Sequence, residues 1–278
     1  VVLSHVQVKP LLDAREQGEA TAAVSLDLGL TSTEVSLQGD RVLLPGGQWL
    51  SWESIHEIQQ SETGCFEVVG HEAQKIQEFS DELNRFYSLM PTRRAPTLLV
   101  SGIPMHRIKG TNPTQDTLRK IRTVAPMAGQ VLDTCTGLGY TAIEAAKTAE
   151  RVITIELDPT VLGIARLNPW SLLLFENPRI EQMTGDAFDV VTSFEDGVFA
   201  RIIHDPPMFS LAGELYSRAC YEELYRVLKR KGRLFHYIGD LESRSGRNVA
   251  RGVARRLQEA GFSRIVRKPG AFGLVAYR

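Results

Sequence analysis

Apolar residues follow two different periods along the 278-residue chain. Between residues 20 and 90 the spacing is close to two. Ala22-Ala23-Val24-Ser25-Leu26-Asp27-Leu28 and Thr33-Glu34-Val35-Ser36-Leu37 alternate, and Gly29 and Gln38-Gly39-Asp40 interrupt them. Residues 41–44 read as the next strand, closed by Pro45-Gly46-Gly47. Such alternation buries one side of each strand, and the glycine-bearing breaks are hairpin signals. Ser51 can cap a helix over 52–60, where Ile55 and Ile58 stand three apart. Strand patterns return at 65–69, 75–79 and 85–89. Residues 1–18 keep no clear period, although 11–16 fit a short helix after Pro10, ended by Gly18. Residues 20–90 are therefore expected to form a small, mostly antiparallel unit with one helix.

Pro91-Thr92-Arg93-Arg94-Ala95-Pro96 interrupts regular structure and marks the boundary expected between domains 1–95 and 96–278. Beyond it strand and helix patterns alternate. Strands are expected at 97–100, 131–135, 152–156, 180–183, 202–205 and 233–238. Helices are expected at 114–124, 141–148, 159–167, 217–228 and 248–260. A hairpin over 264–267 and 272–277 turns at Pro269-Gly270. This alternation implies an α/β domain whose parallel sheet carries helices on both faces, with an antiparallel edge from the hairpin.

Composition narrows the setting. Hydrophobic residues make up 43% of the chain and charged residues 23%, the balance of a soluble globular protein. No run of about 18 apolar residues occurs, so no membrane span is expected. Cys65, Cys135 and Cys220 are far apart, without metal-ligand spacing; that suits a reducing cytoplasm and no bound metal. No signal peptide is visible, and Val1 leaves the start open to trimming. The net charge of −1 hides an asymmetry: residues 1–95 hold 7 basic and 14 acidic residues, residues 96–278 hold 25 and 19. Residues 226–268 alone carry 13 basic and 3 acidic residues, a local excess that suits a phosphate-bearing partner. Nothing in the sequence sets an oligomeric state.

The candidate chemistry centres on Val131-Leu132-Asp133-Thr134-Cys135-Thr136-Gly137-Leu138-Gly139-Tyr140-Thr141-Ala142. An apolar strand runs into a glycine-bearing turn and a helix, and a second apolar strand ends in Glu156. Glycines let backbone N–H groups approach a ligand, the helix N-terminus faces it, and the acid can accept from ribose hydroxyls. Gly137-x-Gly139-x-x-Ala142 also fits a dinucleotide loop, so a nicotinamide enzyme is a rival, and a tight turn without ligand is the plain alternative. Asp133 argues against the dinucleotide, whose loop has an apolar strand residue there.

Asp133-Thr134-Cys135-Thr136-Gly137-Leu138-Gly139 resembles motif I of class I S-adenosylmethionine-dependent methyltransferases. That resemblance implies a seven-stranded, mostly parallel, doubly wound sheet, here preceded by a small β-rich domain. It also implies roles. Asp133 would organise the loop and the methionine end of S-adenosylmethionine, with Thr136, Gly137, Gly139, Tyr140 and Thr141 around the cofactor. Glu156 would hold the ribose, and Asp186 in Gly185-Asp186-Ala187 the adenine amino group. His204-Asp205-Pro206-Pro207-Met208-Phe209 resembles the Asp/Asn-Pro-Pro-aromatic motif of methyltransferases that modify amino nitrogens. Asp205 and the Pro206 carbonyl would accept the two N–H bonds of a planar amine. Pro206 and Pro207 stiffen the turn and offer no competing N–H, and Phe209 could stack on a flat substrate. The aromatic comes one place late, as in a group of large-subunit ribosomal RNA base methyltransferases with Asp-Pro-Pro-x-Phe-Ser, here Asp205 to Ser210; some of these act on ring atoms. Thr-Gly-Leu-Gly-Tyr-Thr-Ala together with His-Asp-Pro-Pro is similar to a prokaryotic group of predicted methyltransferases.

A second resemblance is to aminopropyltransferases such as spermidine synthase. They share the sheet, a small N-terminal β-unit, Gly-Asp-Ala-Phe (Gly185 to Phe188) and Leu-Tyr-Ser…Tyr (Leu215, Tyr216, Ser217, Tyr221). Their decarboxylated cofactor has a free ammonium, met by an Asp in the glycine loop. Leu138 stands at that place and cannot pair an ammonium, which favours the intact cofactor. Arg247, Arg251 and Arg255, four apart, form one stripe of a helix, with Val249, Val253 and Leu257 on another face. With Lys229, Arg230, Lys231 and Arg233 they are a candidate RNA surface, the plain alternative being a solvated helix face. His106, Arg107 and Lys109 precede the glycine loop, a region the methyltransferase family often closes over the cofactor carboxylate. Cys135 lies inside the turn and no Pro-Cys pair occurs, so cysteine catalysis is not expected. Trp170 fits a pocket wall or a helix-terminating core residue.

Overall fold

The computed structural model describes residues 1–209 and 211–278; Ser210, the last residue of the Asp-Pro-Pro-x-Phe-Ser stretch, lies outside them. The chain makes two compact units. Val1–Thr114 and Thr160–Leu172 form the first, and Gln115–Pro159 and Leu173–Arg278 the second.

The first unit is β-rich. A strand at Val2–Ser4 passes directly into the helix His5–Glu16, where the Ser4 side chain accepts from the Val6 N–H at 3.3 Å. This helix starts well before the expected 11–16 and contains Pro10. Proline removes one hydrogen bond from a helix interior. Val8, Leu11 and Ala14, buried at helical spacing, offset that loss. Three antiparallel sheets follow. Val2–Ser4 pairs with Cys65–Val69, which pairs with Glu72–Lys75. Thr21–Val24, Thr33–Leu37, Arg41–Leu43 and Trp49–Ser51 form a meander. Gln77–Ser80, Arg85–Met90, Thr97–Val100 and Ile103–Pro104 form another. Because Thr97–Val100 pairs with Arg85–Met90, the boundary expected at residue 95 falls between two hydrogen-bonded strands. The helix Trp52–Gln60 forms where expected, capped by the Ser51 side chain on Ser54 N–H at 3.1 Å. Trp170 donates its indole N–H to the Leu28 carbonyl at 3.0 Å, which anchors 160–172 within this unit.

The second unit is a mixed α/β domain with a seven-stranded sheet. Its strands are β1 (Gln130–Asp133), β2 (Arg151–Glu156), β3 (Ile180–Thr184), β4 (Phe199–His204), β5 (Leu228–Tyr237), β6 (Arg264–Lys268) and β7 (Gly273–Tyr277). The order is β3-β2-β1-β4-β5-β7-β6, with β1 to β5 parallel and β7 antiparallel to both neighbours. The chain runs outward from β1 to β3 and then restarts at β4 on the other side of β1. Such a reversal opens a crevice at the carboxyl ends of β1 and β4, the ligand position in open α/β sheets.

Helices cover both faces. Leu132, Ile202, Leu234 and Ala276 pack with Leu224, Val227, Val253 and Leu257 of the helices Arg218–Val227 and Arg244–Glu259. Arg201 points to the opposite face, where its Nε donates to the Val124 carbonyl at the end of the helix Pro113–Val124. The helix expected at 248–260 begins four residues earlier, because Ser243 caps it by accepting from Gly246 N–H at 3.0 Å. Gly246 is required there, since a Cβ would fall 1.8 Å from the Asp240 carbonyl oxygen. Among the described residues no helix is long and apolar enough to cross a membrane.

Leu224 is 1% exposed at the centre of this core. Leu224→Ala should lower unfolding free energy by about 2–5 kcal/mol in urea titrations, whereas Arg251→Ala on the exposed helix face should stay within about 0.5 kcal/mol.

Candidate active site

The crevice is edged by acids at strand ends. β1 ends in Asp133, which is fully buried. Its Oδ2 accepts from the Thr141 hydroxyl at 2.9 Å and the Thr154 hydroxyl at 3.1 Å. Thr136 and Thr154 share a further hydroxyl bond of 2.7 Å. Among the described residues Asp133 Oδ1 has no hydrogen-bond partner, an orphaned acceptor in a dry place. Burial pushes the Asp133 carboxyl up to about 7, against the two hydroxyls that favour its charged form.

The glycine loop is built around two left-handed residues, Gly137 (φ +52°) and Gly139 (φ +77°). A Cβ on Gly139 would also lie 2.6 Å from Leu174 Cδ2. Gly139 caps the helix Tyr140–Ala146, in which Tyr140 and Thr141 are both buried. Glu156, at the end of β2, braces the loop: Oε2 accepts from Gly137 N–H at 2.8 Å and Oε1 from Asp158 N–H at 3.2 Å. Burial raises the Glu156 carboxyl, and these N–H groups oppose the rise. Leu138 is fully buried and offers the loop no charge. Asp186 follows β3, half-buried, and caps the helix Ala187–Thr192 by accepting from Phe188 N–H at 2.7 Å. An acid with one unmet oxygen, a close-approach glycine turn and an acid at the neighbouring strand end together suit an adenosyl-type nucleoside cofactor.

β4 ends in His204, and Asp205 begins the turn. Asp133 and Ile203 are register partners on neighbouring strands, so Asp133 and the Asp205 turn share one end of the sheet. The Tyr216 hydroxyl donates to the Pro207 carbonyl at 2.9 Å, and the Phe209 ring meets Tyr216 edge-on at 5.4 Å. Met208 and Phe209 are exposed. Beneath the turn, His204 Nε2 lies 2.8 Å from the Leu215 carbonyl, which can only accept; Nε2 therefore carries the proton, and Nδ1 accepts from the Thr134 hydroxyl at 2.7 Å. Burial pushes the His204 imidazole down to about 4. His236 stands 4.5 Å from it, ring to ring, bonded through Nε2 to the Tyr221 hydroxyl at 2.8 Å.

Sequence reasoning missed the partner of Asp205. Lys120, on the helix Pro113–Val124, places Nζ 2.5 Å from Asp205 Oδ2 and 2.9 Å from Asp116 Oδ2. The ammonium also lies 4.4 Å from the Tyr237 ring centre. Burial alone would lower the Lys120 pKa, but the two carboxylates outweigh it and hold the value up. Burial raises Asp205, and Lys120 opposes that rise. The local signal was Asp116-x-x-x-Lys120, an i,i+4 pair on a helix face with Ile121 and Val124.

The remaining candidates lie elsewhere. Arg247, Arg251 and Arg255 are exposed on the outer side of their helix, with Arg255 paired to Glu259 at 3.6 Å. His106, Arg107 and Lys109 belong to the first unit, where His106 Nδ1 and the Thr97 hydroxyl are 2.9 Å apart. Burial raises the Cys135 thiol well above its ordinary value, so it is no thiolate.

His204 ties stability to pH. The unfolded imidazole takes up its proton near 6.5 and the folded one near 4, so acidification through that window favours unfolding. His204→Gln keeps a donor for Leu215 without the titration. Between pH 7 and pH 4 the wild type should lose roughly 3 kcal/mol relative to this variant in urea denaturation. An unchanged difference would mean that His204 is charged in the fold.

Comparison with known proteins adds family and fold. Residues 101–235 match the family described as Conserved hypothetical protein 95. A spermidine synthase solved with the transition-state analogue AdoDATO superposes with a TM-score of 0.60 at 19% identity, over 72% of this chain and 71% of that one. At that identity the likeness is one of fold alone, a class I methyltransferase-like fold. A polyamine aminopropyltransferase of Aeropyrum pernix is 34% identical over 100 residues, 34% of this chain and 31% of its own. The protein MJ1233 of Methanocaldococcus jannaschii is 42% identical over 261 residues, 92% of this chain and 88% of its own. On that likeness, which runs through both units, the chain belongs to the same family as MJ1233.

Proposed function

We propose that the chain is an S-adenosylmethionine-dependent methyltransferase that acts on a nitrogen of a planar acceptor such as an RNA base. The observation that carries this reading is the pairing of two sites at one sheet end: the Asp133 loop with its unmet acceptor, and the braced Asp205-Pro206-Pro207 turn beside it. When bound, the cofactor would supply an electrophilic methyl group at a sulfonium. Asp133 would receive its ammonium, Glu156 its ribose hydroxyls and Asp186 its adenine amino group. Thr136, Gly137, Gly139, Tyr140 and Thr141 would shape the loop around it. Asp205 and the Pro206 carbonyl would accept from the acceptor N–H groups and aim the lone pair. Formation of the N–C bond would break the methyl–sulfonium bond and leave a neutral thioether, and Asp205 would take the nitrogen's surplus proton. Pro207 holds the turn, and exposed Phe209 offers a face to a flat ring. Such a transfer depends mainly on positioning.

Aminopropyl transfer is the second reading, favoured by the polyamine aminopropyltransferase of Aeropyrum pernix. Buried Leu138 weighs against it, because the position between the two loop glycines, where aminopropyltransferases carry an Asp, then adds no second carboxylate beside Asp133. RNA as substrate rests on the exposed stripe of Arg247, Arg251 and Arg255.

Labelled S-adenosylmethionine, incubated with the protein and fractionated cellular RNA, protein and metabolites, should label RNA. Asp205→Asn should slow transfer about 100-fold or more while S-adenosylhomocysteine affinity holds. Label transferred only from the decarboxylated cofactor, into polyamines, would replace this reading by the second. Alanine at all three arginines should flatten the slope of log affinity against log salt by about 2 for single-stranded RNA. An unchanged slope would remove the stripe from the RNA surface.

A further inference from the structure

Lysine is almost never fully buried without a partner. Lys120 is 5% exposed, beneath the turn that follows β4, and its neighbours are chemically specific. Asp116 forms an ion pair with it from one helical turn away, Asp205 accepts a hydrogen bond from it across 85 positions of chain, and the Tyr237 ring faces it. A purely structural staple would account for the contact with Asp116. It does not account for the state of Asp205. That carboxylate keeps 20% of its side-chain surface open, and Lys120 engages only Oδ2. Among the described residues no hydrogen bond reaches Asp205 Oδ1. One oxygen is clamped and the other is available.

We propose that Lys120 is a positioning residue for Asp205: it clamps Oδ2 and leaves Oδ1 to accept a hydrogen bond from the nitrogen of the substrate. The role rests on the reading of Asp205 as the acceptor-side acid. It selects among acceptors. An ionised carboxylate can only accept hydrogen bonds, so it matches a nitrogen that still bears hydrogen. A hydroxyl would need a stronger base than a lysine-paired carboxylate, and a ring carbon would commonly need a thiolate, which Cys135 does not provide. The groups coupled to Asp205 are Lys120 and Asp116 from the helix, Asp133 from β1, Cys135 from the loop and Tyr216 ahead of the helix Arg218–Val227, and Tyr237 at the end of β5 faces Lys120. Lys120 is the cation in this set. Without it, burial and Asp116 would drive the Asp205 carboxyl toward its neutral form, which offers a competing O–H.

Carbon-13 NMR titration of the Asp205 carboxyl in the full chain tests this directly, with the resonance assigned by its loss in Asp205→Asn. Lys120→Met should raise the Asp205 midpoint by about one pH unit or more, and Lys120→Arg should restore it. Asp116→Asn, which leaves Lys120 to Asp205 alone, should lower it. The Asp116 variant decides the matter if Lys120→Met does not fold. S-adenosylhomocysteine affinity should stay within about threefold in all of them, while the acid limb of methyl transfer against pH follows the midpoint. An Asp205 midpoint indifferent to both substitutions overturns the clamp. Midpoints that move as expected in a protein that transfers no methyl group overturn the methyltransferase reading and uphold the clamp.

Discussion

Asp133 ends an apolar strand inside a sheet covered on both faces, where water cannot solvate a charge. Its hydrogen bonds must come from the protein, and they come from Thr141 and Thr154. That requirement organises the centre of the unit. Thr141 sits in the first turn of the helix after the glycine loop, and Thr154 sits on β2. One carboxylate oxygen therefore ties the loop, its helix and the neighbouring strand together. The Thr136–Thr154 bond and the Glu156–Gly137 bond close the loop from its other side. Asp133 Oδ1 is left over. A buried acceptor without a donor costs about 1–3 kcal/mol, and a bound ammonium would remove that cost.

The same constraint recurs at β4 with a different solution. Asp205 receives a whole ammonium, from a lysine that is itself removed from water. Burying such a pair is expensive unless the geometry is good and further groups share the charge. Here Asp116 and the Tyr237 ring share it. The sheet order supplies the rest. Because β1 lies beside β4, a hydroxyl-braced acid and a lysine-braced acid stand at the carboxyl ends of adjacent strands. Below them the neutral pair His204 and His236, with Tyr216 and Tyr221, replaces water as the floor of the turn.

Much of this was legible in the sequence for a simple reason. Asp133, Glu156 and Asp205 each stand at the end of a strand with an apolar run, and a charge at that place is conspicuous in a one-dimensional pattern; Asp186 follows the mostly polar Ile180–Thr184 and was legible through Gly185-Asp186-Ala187 instead. The strand and helix alternation was legible because β1, β2 and β4 each hold a short apolar run, Val131-Leu132, Val152-Ile153 and Ile202-Ile203. What stayed hidden was set by contacts or by local exceptions. Lys120 reads as a solvent-facing residue until the chain brings Asp205 to it from 85 positions away. Thr154 looks like an ordinary strand residue until Asp133 is seen beside it. The helix His5–Glu16 was concealed by Pro10, which the packing of Val8, Leu11 and Ala14 overrides. Trp49–Ser51 is only three residues long, too short for alternation to show. Thr97–Val100 was recognised as a strand, but its pairing with Arg85–Met90 depends on neither residue type nor period.

The central claim is that the strand-end acids form one site, with cofactor at the Asp133 loop and acceptor at the Asp205 turn. A crystal structure with S-adenosylhomocysteine tests it most directly. The account predicts an amino group on Asp133 Oδ1, ribose hydroxyls on Glu156, and the sulfur facing Asp205. Ribose bound away from Glu156, or a thioether sulfur turned from Asp205, would contradict it.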